Sequence, residues 1–483
     1  MRIVFIGFLA LVSANLFGQT GYKLGFKIKG LKDTTAYLGH YFDESTYLDD
    51  TARVDKQGTF VFDGKKTLPQ GVYMLVMGPK GKISKVFDLV VGKDQDFILE
   101  TDTSDYIGHL KVSGDEDNKL FFENILFNKD RHDEAEPYIK VLQDSTLKED
   151  QKKSAREEFQ KINKKVLSYQ DDLIAKSPNS VTAKLIKASK QIEIPDPPKK
   201  ANGHIDSTFQ LRYYRQHFFD YFDLADDALI KMPRPFYKEK VKEYLEKLFL
   251  PQPDTIMKAI DGLVAKAKKN QETYKFMVFT CLITYQNPEI MGLDEVYVRV
   301  YDKYFGTGEM DFWANAPFKK SIKEYADKVR RAMIGRPAPN LMMQDQNLQP
   351  KSLYDIKKKY TVVYFFDPDC GHCRKESPKL VEFYNKSKFK YDLEVFAVAA
   401  DSSMKKMRDY IKEMKMSWIT VNGPRSYLKD HFQQVYFTET FPTVYILDEK
   451  KKILARKIPV DKIDDFLTNH EKFQKKKTSQ KGT

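Results

Sequence analysis

Two periods of apolar positions divide the chain. Over residues 20–113, apolar and polar residues alternate in short runs. Tyr22-Lys23-Leu24-Gly25-Phe26-Lys27-Ile28-Lys29 keeps a period of two, and the runs Gly58–Phe62, Gly71–Val76, Val86–Val91 and Asp96–Glu100 continue it between turns such as Asp55-Lys56-Gln57. This predicts an all-β, sandwich-like domain of short antiparallel strands. Over residues 114–335 the spacing changes to that of helices. Leu120, Phe121, Ile125 and Leu126 share one face, as do Phe159, Ile162, Val166 and Leu173, and Val241, Tyr244, Leu245 and Leu248. Ile194-Pro195-Asp196-Pro197-Pro198 interrupts them as a loop. The aromatics between Tyr213 and Phe222 are spaced for helix packing, and the charged stretch Lys148–Lys165 reads as a solvated helix face.

Gly335-Arg336-Pro337-Ala338-Pro339-Asn340 ends this all-α middle domain, because two prolines and a glycine cannot continue a helix. Residues 336–483 then alternate between strand and helix in an α/β rhythm. Strands are expected at 361–366, 393–400, 443–447 and 452–458, and helices at 371–388, 403–415 and 461–473.

Composition adds the compartment. Residues 1–19 open with Met1-Arg2, run through an apolar core from Ile3 to Val12 and end in small neutral residues, which predicts a secretory signal peptide cut near Gly18. The apolar run is shorter than the roughly 20 residues of a spanning helix. No later run is apolar enough to span, so no membrane span is expected after cleavage. The net charge of +13 does not point to nucleic acid, since the lysines are dispersed among acids. The one plain basic run, Lys472 to Lys481, reads as a solvated terminus. An exported chain with three cysteines has no disulfide framework. Cys281 lies in the apolar run Phe276–Ile283 and is expected to be a buried, inert thiol.

The other two cysteines carry the candidate chemistry. Cys370-Gly371-His372-Cys373 follows the strand-like Thr361–Phe366 and precedes an amphipathic run with Leu380, Val381, Phe383 and Tyr384. Strand, C-x-x-C and helix together make a redox dithiol. Cys370 then falls at a helix N-terminus, where free N–H groups and the macrodipole favour a thiolate, and Cys373 lies one turn further in, placed to close the disulfide. His372 is expected to set the redox poise by stabilising the Cys370 thiolate, while Asp369 opposes it. The couple is expected to be more oxidising than a Gly-Pro dithiol.

From Gly335 onward the chain resembles the thioredoxin superfamily, in its exported cytochrome-maturation branch of thiol–disulfide oxidoreductases. The resemblance rests on Gly335-Arg336-Pro337-Ala338-Pro339, the Cys370/Cys373 pair, Glu376 three places after the second cysteine, Pro378 in the active-site helix, and Phe441-Pro442-Thr443. The three-part layout also looks like multidomain envelope proteins of Bacteroidetes-type bacteria, with Asn287–Asp294 carrying the likeness in the helical part. The resemblance implies a C-terminal thioredoxin fold and a redox-active Cys370–Cys373 disulfide with no other cofactor and no metal. It also implies Glu376 as the proton carrier for Cys373 and a substrate groove at Phe441 and Pro442 closed by a cis bond before the proline. The chain departs from ordinary thioredoxins at Tyr364, where they bury an aspartate, and at Asp369, where they carry tryptophan.

The function expected on this basis is disulfide exchange in the periplasm or cell envelope. The partners are exported thiol or disulfide client proteins and an envelope electron donor or acceptor. Two other classes compete with this reading. A thiol peroxidase suits the Pro-Ala-Pro opening, but Asp367 stands where such enzymes place a peroxide-binding threonine. An envelope binding or scaffold protein suits the long front half, which shows no chemistry of its own. A zinc site lacks two of its four ligands.

Overall fold

The computed structural model describes residues 21–78 and 82–480. The expected signal peptide lies outside these residues, as does the centre of the turn Gly78–Lys82. The described chain forms two compact units. One holds the residues up to Leu248 with Ala265–Tyr274, and the other holds Phe249–Val264 with the residues from Lys275 onward.

In the first unit, β1 (Tyr22–Lys29), β2 (Thr35–Phe42), β3 (Ser45–Arg53), β4 (Thr59–Gly64), β5 (Gly71–Met77), β6 (Ser84–Val91), β7 (Asp96–Asp102) and β8 (Lys111–Ser113) make two four-stranded sheets, ordered β4-β1-β7-β8 and β3-β2-β5-β6. Alternate residues turn inward, as the sequence period requires: Leu24, Phe26 and Ile28 from β1, Phe60 and Phe62 from β4, Phe97 and Leu99 from β7. The domain is β-rich and sandwich-like. It is not wholly antiparallel, because β1 and β7 run parallel, with Leu24 beside Phe97 and Phe26 beside Leu99. These strands are joined through the other sheet and not by a hairpin, which frees their direction.

The helices α1 (Glu116–Gln143), α2 (Glu149–Lys176), α3 (Val181–Ser189), α4 (Phe209–His217) and α5 (Phe236–Lys247) complete this unit. The Asp115 carboxylate caps α1 by accepting from the N–H groups of Asp117 and Asn118. The buried Asn118 amide then bonds the Val90 backbone in both directions, at 2.9 and 2.7 Å, and locks α1 to β6. The residues of α6 (Pro253–Ala267) and α7 (Gln271–Thr284) are divided, with Ala265–Tyr274 counted in the first unit and the rest in the second. Cys281 on α7 is fully buried, and burial pushes its thiol up to about 12.

The second unit contains α8 (Asp294–Val300), continued by a π-helical turn at Tyr301–Phe305, and α9 (Ala316–Arg331). The expected helical stretch 114–335 is helical, but its elements are shared between the units. The physical tie in the second unit is an ion pair: Asp294 at the start of α8 bonds the Arg456 guanidinium, which is 1% exposed and also donates to the Ala332 carbonyl at 3.0 Å. A buried guanidinium requires such partners.

The rest of the unit is an α/β domain of β9 (Met342–Asp345), β10 (Pro350–Ser352), β11 (Tyr360–Phe366), α10 (Gly371–Ser387), β12 (Leu393–Ala399), α11 (Met404–Met414), β13 (Ile419–Ser426), α12 (Phe432–Val435), β14 (Thr443–Asp448), β15 (Ile453–Arg456) and α13 (Ile463–Gln480). The sheet order is β10-β9-β13-β12-β11-β14-β15. Central β11 pairs in parallel with β12 and antiparallel with β14. All seven of its residues are buried because both sheet faces are covered. Val362, Tyr364 and Phe366 enter one core cluster with residues of α10, α11 and α13, and Val363 and Phe365 enter the other with Leu341, Phe432 and Tyr436. The basic tail expected as a solvated terminus is the continuation of α13 as far as Gln480. Among the described residues, no helix is long and apolar enough to cross a membrane.

Candidate functional site

The dithiol sits where β11 hands over to α10. Phe366 is the last strand residue and Asp367-Pro368-Asp369 makes the turn. The Asp367 carboxylate accepts from the Asp369 N–H at 2.8 Å, and the Asp367 carbonyl accepts from the Cys370 N–H at 3.1 Å. This aspartate-nucleated turn delivers Cys370 to the N-cap of α10 with an extended backbone, φ −78° and ψ 120°. The first turn of the helix follows, with the Arg374 N–H donating to the Cys370 carbonyl at 3.1 Å.

The two sulfurs are unequal. Cys370 is half-buried, while Cys373 is 0% exposed, and both are free thiols. The Cys370 thiol donates to the carbonyl oxygen of Phe441 at 3.4 Å. The Cys373 sulfur accepts from the Asp367 N–H at 3.4 Å. Burial pushes the Cys373 thiol up to about 12. That backbone donor pulls it down, and the neighbouring Cys370 and the Asp367 charge push it further up. The site therefore has one accessible sulfur at a helix N-terminus and one buried sulfur that holds its proton.

The remaining expected residues are arranged around this pair. The Phe441–Pro442 peptide bond is cis and brings the Phe441 carbonyl to Cys370. His372 lies exposed in the first turn of α10. Glu376 is one turn past Cys373 and half-buried, with its carboxylate held by Lys379 at 2.6 Å. Arg374 does not pair with Glu376; its guanidinium bonds Glu413 at 2.6 Å and lies over the Tyr410 ring. Asp369 does not act alone on the thiol: the Lys406 ammonium bonds it at 2.6 Å and Asp401 at 2.9 Å, which offsets its charge.

Two features were not read from the sequence. Asp367 bonds both cysteines through its backbone and acts on Cys373 through its charge, whereas the sequence marked it only as the residue standing in place of a peroxidase threonine. Tyr364, where a buried aspartate was missing, joins a chain of three hydroxyls: Tyr364 to Ser377 at 2.8 Å and Ser377 to Tyr410 at 2.9 Å, all buried. Ser377 follows Glu376 on α10 and Tyr410 lies on α11, so only the fold could join them.

This strand order, with a dithiol at the N-terminus of the helix after the central strand, defines a thioredoxin-like domain. Residues 334–456 match the profile of the AhpC/TSA family. Residues 22–121 and 149–328 match two domains of unknown function, DUF4369 and DUF5106. The thiol–disulfide oxidoreductase ResA of Bacillus cereus is 26% identical over 133 residues, which is 27% of this chain and 73% of that protein. The protein called probable nucleoredoxin 1 of Arabidopsis thaliana is 26% identical over 123 residues, and this chain spans 21% of its length. Among solved structures, the thioredoxin domain of a thiol-disulfide oxidoreductase from Bacteroides vulgatus is 31% identical and covers 29% of this chain and 96% of its own, with a TM-score of 0.25. The C-terminal domain is thus thioredoxin-like, and it is similar to the thiol–disulfide oxidoreductase ResA.

Proposed function

We propose that the protein exchanges disulfides with exported client proteins in the cell envelope through the Cys370–Cys373 couple. The observation that carries this reading is the asymmetry of the two sulfurs, one half-exposed at the N-cap of α10 and facing the Phe441 carbonyl, the other buried.

In the reducing direction, the Cys370 thiolate attacks one sulfur of a client disulfide. A bond forms between Cys370 and that sulfur, the client S–S bond breaks, and the second client sulfur leaves as a thiolate. Cys373 then loses its proton and attacks the Cys370 sulfur. The mixed disulfide breaks, the Cys370–Cys373 disulfide forms, and the first client sulfur leaves. Two electrons pass from the dithiol to the client, and the two released thiolates take protons from solvent. Glu376, one turn from Cys373, carries the Cys373 proton outward. His372 stabilises the Cys370 thiolate, and Phe441 and Pro442 form the wall against which the client sulfur is presented. The same steps reversed oxidise a client. The dithiol is the redox group, with no further cofactor, and an envelope donor or acceptor resets it. The signal-like residues 1–19 support the envelope location.

Insulin reduction by the purified protein tests the reading. Cys370→Ser abolishes turnover, and Cys373→Ser stalls as a mixed disulfide. Equal residual reduction by the two variants would overturn it.

A further inference from the structure

The AhpC/TSA match begins at residue 334, yet the loop that carries Phe441 and Pro442 is packed against a helix that precedes it. That helix is α9, and its residue Tyr325 falls within the DUF5106 match. The Tyr325 ring meets Phe437 edge to face, with centroids 5.1 Å apart and planes at 83°. Phe437 is buried in a cluster with Val298 of α8, Val329 of α9 and Met333. Its backbone N–H donates to the Tyr445 hydroxyl at 3.1 Å, and the Lys457 ammonium sits 3.7 Å from its ring centre. One turn earlier, Arg331 of α9 donates to the Gln434 carbonyl at 3.2 Å.

Tyr325 is itself fixed from behind. Its hydroxyl donates to the Gln286 carbonyl at 2.5 Å, and its ring lies 4.7 Å from that of Tyr297. The Phe437 ring is thus held from several sides, and four residues later the same loop presents the Phe441 carbonyl to Cys370. Edge-to-face aromatic pairs add stability beyond the area they bury, and a small displacement of a positioning group has a large effect on reactivity.

We propose that Tyr325 is a positioning residue for the dithiol groove: by clamping Phe437 it fixes the 438–442 backbone, and so the groove's fit to a polypeptide disulfide. This gives the last helix of the middle region a role in client recognition, and it rests on the disulfide-exchange reading above. A small disulfide needs only access to the Cys370 sulfur. A polypeptide disulfide must also match the groove wall, so the two substrate classes separate in their dependence on Tyr325.

The test compares the full-length protein with Tyr325→Ala and Tyr325→Phe, using insulin as the polypeptide disulfide and 5,5′-dithiobis(2-nitrobenzoate) as the small one. Tyr325→Ala is expected to raise KM for insulin about tenfold, to leave the rate with the small disulfide within about twofold of wild type, and to speed hydrogen exchange over residues 434–441. Tyr325→Phe keeps the ring contacts with Phe437 and Tyr297 but loses the bond to Gln286, and is expected to lie closer to wild type than Tyr325→Ala on all three counts. If Tyr325→Ala does not fold, Tyr325→Leu, which keeps apolar bulk but not the ring contact, supplies the same comparison. An unchanged insulin KM, or an equal loss with both substrates, overturns the proposal. If the wild type exchanges with neither substrate, the functional reading fails on its own, and hydrogen exchange alone decides whether Tyr325 positions the loop; unchanged exchange overturns that too.

Discussion

The hydroxyls of Tyr364 and Ser377 share a hydrogen bond of 2.8 Å on the buried face of α10, and Ser377 passes the chain on to Tyr410 at 2.9 Å. A neutral hydroxyl chain thus occupies the place where ordinary thioredoxins bury a carboxylate. Ser377 sits in the middle of this chain, so trimming the Tyr364 end leaves it still bonded to Tyr410. Tyr364→Phe is therefore expected to cost only about 1 kcal/mol of stability, read as a shift of the urea midpoint. A loss above about 3 kcal/mol would show that the Tyr364 hydroxyl does more than bond Ser377.

The buried Cys373 thiol makes the second step of exchange pH-dependent. With its pKa pushed up to about 12, its thiolate fraction rises about tenfold per pH unit through the neutral range. Release of a trapped client from the mixed disulfide should accelerate accordingly between pH 6 and 9 in rapid-mixing experiments, and Glu376→Gln should slow it at every pH. A rate that levels off near pH 7 would contradict the account. Cys281 predicts a matching stability trend. Its folded value, about 12, lies above the ordinary 9.0. Its contribution is fully present below that ordinary value and is lost as pH rises from there towards 12. Cys281→Ala should therefore flatten the alkaline loss of stability.

Asp294 and Arg456 tie α8 to the edge of the thioredoxin-like sheet, with the guanidinium 1% exposed. Removing the carboxylate alone leaves a buried cation without its counter-charge. Asp294→Ala should destabilise the second unit by about 3–5 kcal/mol, seen as an early transition in thermal unfolding. A loss below about 1 kcal/mol would place the pair among exposed ion pairs of little consequence.

His372 faces solvent in the first turn of α10, beside the thiolate it is proposed to stabilise. Replacing it by proline removes the imidazole while keeping the C-x-x-C spacing. The reduction potential of His372→Pro, measured against glutathione, should fall by about 30 mV or more, a tenfold change in the two-electron equilibrium. A rise would assign the poise to the other charges at the turn, among them the Asp369–Lys406 pair.

The C-terminal fold was legible because its signals are local. The unbroken run Thr361–Phe366 belongs to a strand buried on both faces, and the residues on either side of the dithiol spell strand and helix. β13 was not legible, because Asn422-Gly423-Pro424 reads as a turn. The glycine is there for packing: a Cβ at Gly423 would lie 2.5 Å from the Phe432 ring. β3 escaped for another reason. It is an edge strand exposed along most of its length, so it carries no apolar alternation. At the site, the spacing named Cys370, Cys373 and Glu376, but not what surrounds them. Lys379 on Glu376, Lys406 on Asp369 and Tyr325 behind the groove loop are tertiary pairings, and the last joins helix and loop across more than a hundred residues of sequence.

The most direct test of the central claim is to trap a client disulfide with the Cys373→Ser protein and to map the adduct by peptide mass spectrometry. The account predicts a single mixed disulfide on Cys370, lost in the Cys370→Ser/Cys373→Ser double variant. An adduct on Cys281, or none at all under conditions where the wild type turns over, would contradict it.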